Sequence, residues 1–317
     1  MPSRRLTVAC AAAVVLVLAV DGVVVAQRTR RSPGPTSAFG SRGPADPTAL
    51  DAVVADLQAF VERERGLAFR RPVPVELQSE EDFVATLRRL ERRQGGDADA
   101  AVLVNVVRAL GLVDGPFDAS ILESGAEGDV LGFYDRARRR LYVRGDEATP
   151  AVRRVLVHEL THALADQHFG LERPGLERRE DEAARAFAAL VEGDAVRVEE
   201  RFYESLSAEE RRAADVAADA IGSLAADLPR VFEVLLAFPY EAGATFVAAL
   251  AAAGGPERID AAFANPPSTS EQILHPERFL GEEPGKEVAV PVAAGRVVDR
   301  GVLGELGLRL LLQEGLD

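Results

Sequence analysis

His158-Glu159-Leu160-Thr161-His162 sets two imidazoles four residues apart with a carboxylate beside the first. On a helix, that spacing puts both rings on one face, about 40° apart, the separation two histidines need to grip one metal ion. Glu159 lies where it can take a proton from a metal-activated water, so the implied chemistry is metal-assisted hydrolysis. Cys10 is the only cysteine, so thiolate metal sites and thiol nucleophiles are excluded from the rest of the chain. Nitrogen and oxygen donors of this kind point to Zn²⁺ as the cofactor.

Two residues compete for the third ligand position. His168 completes the run H-E-x-x-H-x-x-A-x-x-H, one residue away from the metzincin pattern, which has Gly where this chain has Ala165. Glu192 lies in Ala189-Leu190-Val191-Glu192-Gly193-Asp194-Ala195, on a second long helical stretch. Geometry favours Glu192. A turn back to the metal wants Gly at position 165, and Met occurs only at position 1, which leaves no methionine turn beneath a metal. Continuing the helix instead carries His168 about 240° around from His162, off the metal face and into a helix-end role. Gly193 costs its helix about 1 kcal/mol relative to Ala, which suggests a close backbone approach there. Asp194 lies about 200° from Glu192 on the helix and so is not a ligand.

The histidine pair with a distant glutamate resembles the gluzincin group of zinc metallopeptidases. His158 to Leu164, Asp166-Gln167-His168-Phe169, Ala189 to Ala195, Phe238-Pro239-Tyr240 and Pro266 to Pro276 more closely resemble a widespread set of exported bacterial HExxH proteins. The similarity covers about residues 128 to 280. It implies a zincin-like catalytic core, a peptide or protein substrate, metal ligands His158, His162 and Glu192, and Glu159 as general base. Gluzincins often carry an Asp four residues after the ligand Glu to orient a ligand histidine. Here that position is Val196, so the orienting group must come from elsewhere. An oxyanion donor is also expected, and Tyr240 and His275, both read as residues of proline-flanked loops, are the candidates. The alternative is an inactive zincin-like protein that binds or scaffolds at the cell envelope.

The elements that must position these residues are mostly helical. Asp46-Pro47 starts a helix, Val73 to Leu77 alternates like a short strand, and Ser79 opens a capping box for a helix ending near Gln94. A further helix covers 97 to 110, and residues 130 to 143 read as a hairpin. Thr149-Pro150 begins the helix of the motif, and a long helix runs from about Asp181 to Leu206. Later helices are expected to break at Pro229 and at Phe238-Pro239-Tyr240. Asn265-Pro266-Pro267 reads as a rigid loop, Val288 to Val292 as a strand and Val302 to Leu312 as a last helix. The fold class is α+β, predominantly helical, with a small sheet beside the HExxH helix.

Residues 1–26 carry Arg4 and Arg5 before an apolar run and read as a signal peptide or membrane anchor, so the protein is expected outside the cytoplasm. Residues 27–46 are a Pro-, Gly- and Ser-rich linker, 47–127 an N-terminal helical region, and 128–317 the metallopeptidase domain. A hydrophobic share of 47% with 28% charged residues suits a globular chain, and a net charge of −14 argues against nucleic acid as a partner.

Overall fold

A computed structural model describes residues 47–94, 96–115, 117–118, 130–173, 182–221, 228–289 and 301–314. The N-terminal apolar run and the linker lie outside the described residues. In chain order the elements are α1 (Pro47–Arg65), β1 (Val75–Gln78), α2 (Glu80–Gln94), α3 (Gly96–Ala109), β2 (Gly132–Asp135) and β3 (Arg140–Arg144). There follow α4 (Pro150–Phe169), α5 (Glu182–Ser205), α6 (Ala208–Ile221), α7 (Arg230–Ala264), α8 (Ser270–Leu274), α9 (Pro276–Leu280) and α10 (Gly304–Glu314). Helix dominates, beside one three-stranded sheet.

The sheet has the order β1-β3-β2. The expected hairpin forms, with Phe133 opposite Tyr142 and Tyr134 opposite Leu141. β1 adds in parallel to β3, Val75 opposite Leu141, a pairing that needs the α2–α3 crossover to return the chain. Ser79 caps the start of α2, its Oγ accepting from Asp82 N at 3.2 Å and donating to Asp82 Oδ2 at 2.7 Å. α2 covers one sheet face through Phe83, Leu87 and Leu90 against Phe133 and Tyr142. α4 covers the other, with Leu156, Leu160 and Leu164 against Tyr134, Leu141 and Val143. β2 lies tight on α4: a Cβ at Gly132 would come within 2.7 Å of Val155 Cγ1.

The second core surrounds α5, which α7 crosses through Phe246, Val247 and Leu250. One expectation is overturned here. Phe238-Pro239-Tyr240 does not break the chain but lies inside α7, with Phe238 and Pro239 buried. The core packing of α7 outweighs the backbone N–H that Pro239 lacks, so the helix continues through it. The interruption comes instead at Gly254–Gly255, where Gly255 takes φ 68 and ψ −163, a region open only to glycine, just before Pro256. α7 is long and apolar enough to cross a membrane, but Phe232, Phe246, Val247 and Leu250 on it belong to the core around α5. The expected strand at Val288 is absent from 288–289, and 290–292 lie outside the described residues.

Candidate metal centre

α4 is well anchored as the platform for the motif. Thr149 accepts from Val152 N at 3.3 Å, Pro150 occupies the first turn, and Gly170 ends the helix at φ 67. Its apolar residues hold it against the sheet, and Thr161 satisfies its buried hydroxyl by donating to Val157 O at 2.8 Å. The opposite face presents His158 and His162, with rings edge to face and centroids 4.7 Å apart.

Glu192 comes from α5. Its Oε2 lies 3.2 Å from His158 Nε2 and 3.5 Å from His162 Nε2. The three donor atoms all fall within 4.8 Å of one another, and all three residues are buried, so the group could hold a metal ion. His162 Nε2 is buried without a hydrogen-bond partner, an arrangement that a cation between the three donors would satisfy. Glu159 is fully buried on the same helix.

Electrostatics favour a cation here. Burial disfavours a charge on His158, but its hydrogen bonds to Glu192 and Glu199 outweigh it and push the imidazole up to about 10. Burial would raise the Glu192 carboxyl, yet the two histidines hold it down to about 2.

Glu199 is the residue the sequence reading missed. Its Oε2 lies 2.9 Å from His158 Nδ1, while Oε1 meets Arg154 Nε at 2.5 Å. A carboxylate on Nδ1 keeps the proton there and leaves Nε2 as the donor to a metal. This is the orienting group that Val196 cannot supply. Its signal was present in the spacing, because seven residues after Glu192 is two helical turns, on the same face. Burial would raise the Glu199 carboxyl, but His158 and Arg154 hold it below the usual range.

The other candidates are placed as follows. Tyr240, on α7, sets its half-buried ring 6.4 Å from the His158 ring. It gets there because α5 and α7 touch backbone to backbone: a Cβ on Gly193 would overlap the Gly243 carbonyl, and one on Gly243 would overlap the Ala189 carbonyl. The close approach expected at Gly193 is therefore real. His275 stands at the α8–α9 junction, where its Nε2 lies 3.0 Å from Glu305 Oε1 and 3.4 Å from Arg309 Nη2 and so holds α10. His168 is not part of the His158–His162–Glu192 group, and its Nε2 lies 2.8 Å from Ala68 O. It does meet a carbonyl, but one in the segment after α1, not one at the end of α4. Asp194, on the far side of α5 from Glu192, forms a buried pair with Arg65 Nε at 2.8 Å. Arg65 also reaches Asp260 at 2.8 Å, so the end of α1 ties α5 to α7.

No known family model, curated protein or solved structure matches the chain. Geometry alone carries the functional reading.

Proposed function

We propose that the protein is an extracytoplasmic zinc metallopeptidase of gluzincin type, in which His158, His162 and Glu192 hold Zn²⁺ and Glu159 is the general base. The observation that carries this reading is the buried His158–His162–Glu192 cluster with a glutamate next to the first histidine. Its donor separations of 3.2 and 3.5 Å match the edges, about 3.3 Å, of a tetrahedron with zinc–ligand bonds near 2.0–2.1 Å. The small sheet packed along the HExxH helix is consistent with a zincin-like core. A purely structural ion would have no use for Glu159.

When bound, zinc supplies Lewis acidity that polarises a carbonyl and acidifies a water. Glu159 takes the proton of the attacking water and returns it to the leaving amine. Tyr240 is the donor best placed to hydrogen-bond the developing oxyanion, its half-buried ring lying 6.4 Å from the His158 ring. Glu199 fixes the His158 tautomer throughout.

The purified protein should carry about one zinc per chain, as a mononuclear site requires. Glu159→Gln should keep that zinc while losing hydrolysis of an unstructured protein substrate such as casein by about 10³-fold or more. Zinc-free protein after growth in zinc-replete medium, or near-parental cleavage by the variant, would overturn the reading.

A further inference from the structure

Polar side chains along the α4–α5 interface alternate between the two helices. Arg154, His158 and His162 are spaced by four on α4, and Glu192 and Glu199 by seven on α5, so each set lies on one helix face. The helices run antiparallel there, because Glu199 meets residues 154 and 158 while Glu192 meets 158 and 162. The row reads Arg154–Glu199–His158–Glu192–His162, with successive separations of 2.5, 2.9, 3.2 and 3.5 Å. Three members are the candidate metal ligands, and Glu199 orients one of them. Arg154 ends the row, one turn of α4 and about 6 Å before His158.

Arg154 is held in place from its other side as well. Its guanidinium lies over the Tyr203 ring, 4.9 Å from the centroid, and the Tyr203 hydroxyl donates to Asp215 on α6 at 2.8 Å. The Arg154 side chain is 29% exposed and that of Glu199 6%, so the row runs from the edge of the protein to a buried site. Arg154 Nε makes no well-aligned hydrogen bond. Charge and proximity therefore hold it to Glu199, a requirement that a lysine of similar reach can also meet.

Two demands fall on Glu199. One oxygen must accept the His158 Nδ1 proton, and a carboxylate this buried needs its charge compensated. A histidine that ligates a metal is neutral, so it supplies a hydrogen bond but no charge. Arg154 is the only guanidinium paired with Glu199 among the described residues, and by occupying Oε1 it leaves Oε2 for the histidine. The guanidinium's own charge opposes a cation at the site, but Glu199 in contact with it cancels most of that field.

We propose that Arg154 is a positioning residue of the metal centre: acting through Glu199, it fixes the carboxylate that orients His158 and so sets how tightly the site holds its ion. This rests on the metal ligands of the peptidase reading and extends the site one residue further out, to a side chain that touches neither metal nor substrate. Removing Arg154 frees the Glu199 carboxylate to turn from Nδ1 towards solvent, and His158 then loses the partner that fixes its ring.

The test reads zinc affinity, so it does not depend on turnover. Zinc is titrated against a chromophoric chelator in the full chain and its variants. Arg154→Gln should bind zinc about tenfold more weakly, the low end of the loss that outer partners of a ligand histidine cause. Arg154→Lys should restore affinity close to the parent's, which a loss of packing alone would not do. Arg153→Gln, which gives up a contact with Glu210 at 3.0 Å on the same helix, should leave zinc affinity unchanged. In a Glu199→Ala background, Arg154→Gln should add no further loss, because the carboxylate through which it acts is gone. Parental or tighter zinc binding by Arg154→Gln would overturn the proposal, as would an equal loss in the presence and absence of Glu199. A parent that binds no zinc would overturn this proposal and the peptidase reading together. A parent that binds zinc but cleaves nothing would sink the peptidase reading and leave the role of Arg154 standing.

Discussion

Gly193→Ala probes the contact that brings Tyr240 to the candidate metal centre. The added methyl would overlap the Gly243 carbonyl and lie 2.9 Å from Ala244 N. Carbon and nitrogen need about 3.5 Å, so α5 and α7 must part by roughly 1 Å at the crossing. α5 cannot yield easily, because Glu192 and Glu199 hold it to His158 and Asp194 holds it to Arg65. α7 therefore moves, and Tyr240, three residues before Gly243, moves with it. Overpacking of this kind costs about 1–3 kcal/mol. At about 2–4 °C per kcal/mol for domains of this scale, Tm should fall by several degrees. A misplacement of about 1 Å in a group that acts on the transition state costs about 10²-fold in rate. Chelator competition should show zinc affinity unchanged, since all three proposed ligands lie on α4 and α5. Gly243→Ala should behave alike. A parental Tm would refute the backbone contact, and a lowered Tm with undiminished kcat would refute the role of Tyr240.

Other expected outcomes follow from the same geometry. Glu192→Ala should abolish zinc binding and activity, while His168→Ala, which loses only its contact with Ala68 O, should keep its zinc and lose a little stability; a chelator titration of both variants decides, and the reverse result would restore His168 as ligand. Glu199→Ala should weaken zinc by about 10–100-fold, and Glu199→Gln less, because the amide can still accept from His158 Nδ1; equal affinities for both variants and the parent would remove Glu199 from the site. Stability of the metal-free protein should depend on pH from both sides. The raised His158 contributes fully below its ordinary value near 6.5 and loses that contribution as pH climbs towards about 10. The depressed Glu192 contributes above its ordinary 4.5 and loses out as pH falls towards about 2. Urea melts of the metal-free protein should therefore peak between these ordinary values, near pH 5–6, and a flat profile from pH 5 to 9 would contradict the buried ion pair.

The local features were legible in the sequence because local chemistry sets them. The caps at Ser79 and Thr149, the hairpin and the four-residue histidine spacing all act within one or two turns of backbone. The choice of Glu192 over His168 was also legible, since helix periodicity and the missing glycine at 165 decide which side chain can face the pair. Tertiary structure decided what depends on neighbours distant in the chain. Pro239 looked like a break, and only the packing of α7 on α5 keeps the helix running through it. Tyr240 could be named from the sequence but not positioned, because its place follows from two glycines fifty residues apart meeting at a crossing. Glu199 shows the boundary between the two. Its helical phase with Glu192 was readable, but its function depends on His158 Nδ1 arriving from another helix at 2.9 Å, and a periodicity on one helix says nothing of what packs against it.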